Sequence, residues 1–124
     1  MRILLILSLL CLSVYSYAWA DPLYGEASYY TNVETKYRSC ADGKFHDLDR
    51  ELVCASWFYD FGTRLVISSG SIRIVVVVVD RGPAKRLVKK GRIIDLSARA
   101  FKALDGGKLD RGILQVKIER LGAI

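Results

Sequence analysis

The chain has 124 residues, of which 52% are hydrophobic, and it carries a formal net charge of +6 at pH 7. This length fits one folded domain with a buried core, and we find no linker or low-complexity segment. The basic excess favours an anionic partner such as a wall polymer, an acidic polysaccharide or a membrane surface. His46 is the only histidine and no CxxC pair occurs, which argues against a metal site. We therefore expect no metal or other cofactor.

The first 20 residues have the pattern of a secretory signal peptide. Arg2 precedes an apolar stretch over residues 3–14, and Ala18-Trp19-Ala20 supplies a small-x-small cleavage pattern. The alternative, a membrane anchor, needs about 20 apolar residues and a basic flank, and both are missing. We predict a signal peptide at 1–20, one domain at 21–124, and a secreted or periplasmic protein with no stable membrane anchor.

Removal of this segment leaves two cysteines, Cys40 and Cys54, in an oxidising compartment. We therefore predict a disulfide between them. Outside the cytoplasm, nucleic acid is not an expected partner. Nothing in the sequence demands more than a monomer.

Short β-type segments alternate with turns along the rest of the chain. The strand predicted at residues 71–80 begins with alternating residues and ends in an unbroken aliphatic run, which indicates burial on both faces at its end. In the last strand, Leu114, Val116 and Ile118 alternate inward. Residues 37–52 are polar and predict a long surface loop. The other predicted strands are residues 25–31, 63–68 and 112–121.

One segment has helical spacing, with Leu96, Ala100, Phe101 and Leu104 on one face. Asp95 or Ser97 is the N-cap, and Gly106-Gly107 ends the helix. A mostly β chain with one short helix predicts a small closed barrel.

The strand at 71–80 ends on Asp80, and Arg81-Gly82-Pro83 follows. The strand fixes the position of this acid, and the Gly-Pro turn opens space above it. Such a carboxyl group suits a general acid or a fixed acceptor for sugar hydroxyls. In the alternative, Asp80 only accepts hydrogen bonds from amides of the turn.

Five segments occur in an order that resembles the rare lipoprotein A-like proteins. The resemblance covers residues 24–119 and implies a mainly β fold, the six-stranded double-psi β-barrel, with one or two short helices. Expansins and barwin-type proteins share this fold. The segments are GEASYY, ADGKFHD, FGTRLVI, VVVVVDRGPAKRLVKKGRIIDLSARAFKAL and GILQVKIE.

The resemblance implies a peptidoglycan-active protein, an endolytic lytic transglycosylase that cuts glycan strands. A carboxylic acid protonates the glycosidic oxygen, and its carboxylate then takes the proton of the sugar's own 6-hydroxyl, which closes an anhydro ring. Asp80 matches the family's catalytic aspartate and is the expected acid/base. Asp95 matches an acid similar to the functional aspartate of expansin-like barrels, although it also fits a helix cap.

The sequence departs from the family pattern at polar positions around this acid. Lys44 stands at a glutamate position, His46 at an aromatic position and Ser56 at a histidine position. We predict that these three residues, with Tyr30 and Arg81, contact the substrate.

The departures leave room for a non-catalytic, expansin- or barwin-like module that binds or loosens wall polysaccharide. A secreted inhibitor that uses the barrel as a scaffold is a third interpretation. A basic run over residues 85–92 follows the Asp80 turn and is either a polymer-binding surface or an ordinary charged loop. Trp57 and Phe58 are either sugar-stacking residues or core.

Overall fold

A computed structural model of the protein describes residues 22–122. The predicted signal peptide at 1–20 lies outside these residues and stays a prediction. The described chain forms six strands and two short helices. The strands are β1 (Leu23–Tyr30), β2 (Val53–Ala55), β3 (Arg64–Ser69), β4 (Ile72–Asp80), β5 (Arg92–Ser97) and β6 (Leu114–Arg120), and the helices are α1 (Lys85–Val88) and α2 (Ala98–Leu104).

The six strands close into a barrel in the order β1–β5–β2–β4–β3–β6. Two pairs are parallel, β1 with β5 and β2 with β4, and the other four contacts are antiparallel. Parallel neighbours need crossover connections; residues 56–71, which include β3, join β2 to β4, and residues 31–91 join β1 to β5. The prediction of a mainly β, six-stranded double-psi β-barrel with one or two short helices is confirmed.

The barrel interior is filled by apolar side chains from all six strands, and Ala100, Phe101 and Leu104 of α2 pack into the same core. Val76 and Val78 point inward, whereas Val79 belongs to a second cluster on the outer face of the barrel wall. The predicted burial of both faces at the end of this strand is therefore confirmed. Leu114, Val116 and Ile118 are buried inside the barrel, as their alternation predicted.

The segment between β1 and β2 is a loop, as predicted, but it also covers the outer cluster. Leu48 is buried there beside Val53 and Val79. The buried amide of Asn32 holds the loop, because its Oδ1 accepts from Leu48 N at 2.9 Å and its Nδ2 donates to Asp47 Oδ1 at 2.9 Å. This loop therefore forms a second layer against the wall, and one barrel face is shielded from water.

The start of α2 settles the alternative between two caps. Strand β5 runs to Ser97, and the helix begins at Ala98. Ser97 Oγ accepts a hydrogen bond from Ala100 N at 3.1 Å, which is the N-cap interaction. Asp95 lies two residues earlier, within the strand, and is not the cap. The strand character of residues 92–97 and the short β2 were not predicted.

The predicted disulfide is wrong, since Cys40 and Cys54 are both free thiols. Cys54 points into the barrel interior, whereas its neighbours Val53 and Ala55 point outward. Cys40 packs in the outer cluster with those neighbours. The two thiols therefore belong to different buried clusters, one inside the barrel and one on the outer face of its wall.

Among residues 22–122, neither helix is long and apolar enough to cross a membrane.

Candidate active site

Two carboxyl groups meet across the short strand β2. Ala55 is the register partner of Asp80 in the parallel pair with β4, and of Asp95 in the antiparallel pair with β5. Neighbouring strands lie about 4.8 Å apart, so the two acids lie on either side of Ala55, and the surface between them is here called the groove. Acids separated by 15 positions in the chain are thus brought together by strand pairing.

Asp80 ends β4 and is held by backbone amides. Its Oδ1 accepts hydrogen bonds from Ala41 N and Arg81 N, each at 2.9 Å. Its own carbonyl accepts from Ser56 N at 3.0 Å. Asp80 is only partly buried. Both predicted roles of Asp80, amide acceptor and groove carboxylate, are therefore compatible with the geometry.

Asp95 lies on the outer face of β5, between the inward-pointing Ile94 and Leu96. Its Oδ1 accepts a hydrogen bond from Ser28 Oγ at 2.9 Å. The turn after Asp80 approaches it closely, because a Cβ at Gly82 would lie 3.9 Å from Asp95 Oδ2 and 3.3 Å from the Ala55 Cβ. The glycine therefore lets this turn form one wall of the groove.

The electrostatics of the groove favour a protonated Asp95. Burial raises the pKa of Asp95 to about 6, and the negative charges of Glu34 and Asp80 act in the same direction. The hydrogen bond from Ser28 and the charge of Arg92 partly oppose this rise. A carboxyl group with such a pKa is protonated in about half of the molecules at pH 6 and in roughly a tenth at pH 7, so a proton donor is present in mildly acidic to neutral solution.

Tyr30 and Cys40 lie beneath Asp80 in the outer cluster. Tyr30 is 7% exposed, and its hydroxyl has no hydrogen-bond partner among residues 22–122. Burial raises the pKa of Tyr30 strongly, and burial together with the charge of Asp80 raises the pKa of Cys40 to about 11. Both groups are neutral at physiological pH, so the thiol is not a nucleophile. Tyr30 thus lies at the base of the site.

Ser56 and Arg81 are occupied within the protein. Ser56 is buried, and its Oγ accepts from Phe58 N at 3.1 Å. Arg81 Nη1 donates to the carbonyls of Ser56 and Tyr59, each at 2.7 Å, and the guanidinium lies 4.0 Å above the Phe61 ring. These two residues hold the connection between β2 and β3 against the Asp80 turn.

Lys44 and His46 lie on the loop that donates to Asp80. Lys44 is exposed, and its amide donates to Asp42 Oδ1 at 3.0 Å. His46 is bound at both ring nitrogens, Nε2 to Asp42 Oδ2 at 2.8 Å and Nδ1 to Glu51 Oε1 at 3.0 Å. Burial would lower the pKa of His46, but the two acids outweigh it and raise the pKa. The histidine therefore joins Asp42 to Glu51 within the loop.

Two groove residues were missed by the sequence analysis. Ser28 lies in the GEASYY segment, two residues before Tyr30 and on the same strand face. The sequence feature that could have identified Ser28 is a small polar residue at an outward-facing position of a predicted strand. Gly82 appeared only as a turn residue, because its contact with β5 depends on long-range pairing. Within residues 22–122, no group of three or more His, Cys, Asp or Glu side chains is arranged to hold a metal ion.

The chain is similar to a known protein family. A family model described as "Lytic transglycolase" matches residues 24–118. No curated protein sequence matches the chain.

Solved structures of similar fold include proteins of several kinds. The Streptomyces papain inhibitor superimposes with a TM-score of 0.65 at 24% identity, covering 82% of this chain and 96% of the inhibitor. A mutant Clavibacter michiganensis expansin in complex with cellohexaose gives 0.62 at 18% identity, covering 83% of this chain and 52% of the expansin. Cerato-platanin 3 from M. perniciosa gives 0.56 at 18% identity, covering 81% and 95%. The chain thus spans about half of the expansin, and these likenesses show the fold.

Proposed function

The chain belongs to the rare lipoprotein A-like double-psi β-barrel family, and from that premise we propose that it is a secreted or periplasmic protein that cuts peptidoglycan glycan strands as a lytic transglycosylase. The observation that carries the proposal is the pair of carboxyl groups on either side of Ala55, one of which has a pKa of about 6. The protein acts as a monomer, since one chain contains the whole groove.

The two acids have different environments and therefore different roles. Asp95 is the better proton donor, because burial keeps its carboxyl group partly protonated near neutral pH. It protonates the glycosidic oxygen as the bond to the anomeric carbon breaks. The Asp95 carboxylate then removes the proton of the 6-hydroxyl, whose oxygen bonds to the anomeric carbon, and the acid is regenerated.

Asp80 supports this step as a fixed acceptor. Two backbone amides hold its Oδ1, so the carboxylate keeps its position while the substrate moves. Its negative charge faces the positive charge that develops on the sugar ring. The proposal thus assigns the acid/base role, which the sequence analysis gave to Asp80, to Asp95 supported by Asp80.

The test is mass spectrometry of soluble products from peptide-free glycan strands. Wild type should release anhydro sugars, while Asp95→Asn and Asp80→Asn should each lower the rate by at least about a hundredfold. Asp110→Asn is the matched control, since this exposed acid lies in the loop before β6. Equal product from wild type and Asp95→Asn would refute the assignment of the acid.

A second candidate is a non-catalytic module that binds or loosens wall polysaccharide. It is favoured by the absence of a free histidine in the groove of the described chain: Ser56 stands at the family's histidine position, and both nitrogens of His46 are bound to acids. An expansin, about half of whose chain matches this fold, has been solved in complex with cellohexaose. Sedimentation with insoluble peptidoglycan or cellulose, without soluble products from either, would favour this candidate over the enzyme.

A further inference from the structure

The connection between β2 and β3, residues 56–63, is here called the aromatic loop. It exposes three large rings within five residues: Trp57, Phe58 and Phe61 are 41%, 47% and 40% exposed. Single exposed apolar residues are common, but several together on one loop mark an interaction surface. Tyr59, between them, packs against the barrel core.

The aromatic loop is fixed to the groove. Trp57 Nε1 donates to the carbonyl of Pro83 at 2.7 Å, and Gly62 N donates to the carbonyl of Val78 at 2.8 Å. Arg81, directly after Asp80, donates to two carbonyls of the same loop. The rings are therefore presented in fixed positions beside the turn that carries Asp80, and little ordering entropy is lost when a ligand stacks on them.

Each ring side chain except Phe58 has a cation next to it. Lys85 Nζ lies 4.7 Å from the Trp57 ring, and Arg120 lies 5.7 Å from the Tyr59 ring. Arg81 covers Phe61. The loop's own acid is Asp60, so cations outnumber acids around the rings. Among residues 22–122, Phe58 has no such partner, and at 47% it is the most exposed of the three rings.

We propose that the aromatic loop is a binding subsite for a carboxylate-bearing wall glycan, with Phe58 and Trp57 stacking on sugar rings and Lys85 pairing with a carboxylate of the strand. The apolar face of a pyranose ring fits an exposed aromatic ring, and the cations select a strand with negative charges over a neutral one. This inference rests on the proposed function, because it extends the Asp80–Asp95 groove along the same polymer.

Trp57 provides a direct reporter of occupancy. The sequence has two tryptophans, so in a Trp19→Phe chain Trp57 is the only one, whether or not the signal peptide is removed. The probes are peptide-free peptidoglycan strands, which carry a lactyl carboxylate on alternate sugars, and chitohexaose, which has a similar backbone without carboxylates. Titrations use the Asp95→Asn background so that strands stay intact.

The expected result is a change in Trp57 emission on adding strands, with affinity reduced about tenfold by Phe58→Ala and severalfold by Lys85→Gln. Chitohexaose should bind at least about tenfold more weakly than strands of equal length. Tyr24→Ala is the matched control, since this ring is 70% exposed on β1 and pairs with β6. Circular dichroism checks that each variant is folded.

Other outcomes overturn the proposal in distinguishable ways. Strand binding by sedimentation with unchanged Trp57 emission and no effect of Phe58→Ala would remove the subsite but leave the proposed function. Equal affinity for chitohexaose and strands would refute the selection of carboxylates. Neither binding nor cutting of any wall polymer by wild type would overturn both the subsite and the proposed function.

Discussion

Ser28 Oγ donates a 2.9 Å hydrogen bond to Asp95 Oδ1 across the parallel pair of β1 and β5, where the two residues are register partners. The hydroxyl is the direct polar contact that favours the ionised form of this carboxyl group, against the effect of burial. Loss of the Ser28 hydroxyl should therefore make the Asp95 carboxylate less stable, whereas Asp95→Asn removes the buried charge altogether.

Ser28→Ala should raise the pKa of Asp95 further, because the hydrogen bond that stabilises the carboxylate is lost. The alkaline limb of the transglycosylase pH profile, on which activity falls as Asp95 loses its proton, should move upward with it. The measurement is an NMR titration of the Asp95 side-chain carboxyl carbon in both proteins. Ser28→Thr, which keeps a hydroxyl, is the control, and an unchanged titration in Ser28→Ala would contradict the assigned contact.

Asp95→Asn should stabilise the fold at neutral pH. The folded-state pKa of about 6 lies above the ordinary aspartate pKa of 3.8, so the native state binds more protons than the unfolded state between these values. Stability contributed by this group therefore falls as pH rises from about 4 to 6, by roughly 2–3 kcal/mol in total. The side chain of Asp95→Asn does not ionise, so the variant does not lose this stability as the pH rises.

Urea unfolding at pH 4 and pH 7.5 tests the sign. The stability advantage of Asp95→Asn over wild type should be small at the lower pH and largest at the higher. Asp110→Asn should show no comparable pH-dependent advantage. A variant less stable than wild type at pH 7.5 would show that the carboxylate makes a favourable interaction that outweighs its burial.

Local pattern predicted a small closed barrel and four of its strands, whereas the six-stranded double-psi topology came from the family resemblance, and the site followed only in part. The aliphatic run before Asp80 and the alternation in the last strand predicted buried strands, since two-residue periodicity depends on neighbours in the chain. Strand β2 has only three residues, too few to show a period. Because β2 supplies Ala55, the contact that joins Asp80 and Asp95 was invisible to periodicity.

The wrong and ambiguous predictions share a cause. Asp95 reads equally well as a helix cap and as a strand residue, and only the pairing of β5 with β1 and β2 decides between them. The disulfide prediction counted Cys40 and Cys54 but had no information on which face of the barrel wall each occupies. The acids that bind His46 lie in an irregular loop, where spacing predicts no contact.

His46→Gln should destabilise the protein more at pH 5.5 than at pH 8.5. The folded-state pKa of this histidine is raised, so its stabilising contribution is fully present below the unfolded-state pKa and is lost as pH rises through the folded-state pKa. The expected loss at the lower pH is about 1 kcal/mol. Urea unfolding at both pH values measures this loss. A larger loss at pH 8.5 would refute the stabilising contacts of His46 with Asp42 and Glu51.

The free thiols give the last prediction. Burial raises the pKa of both cysteines, Cys40 to about 11 and Cys54 further, so native protein should react slowly with a thiol reagent. Both thiols should react fully in urea without added reductant, and trapping followed by mass spectrometry should show two modified cysteines in the processed chain. Recovery of unmodified Cys40 and Cys54 would mean that they are joined.

Cys54→Ser should lower the free energy of unfolding by about 1–3 kcal/mol, because it places a hydroxyl in the apolar barrel interior, whereas Cys54→Val should be tolerated.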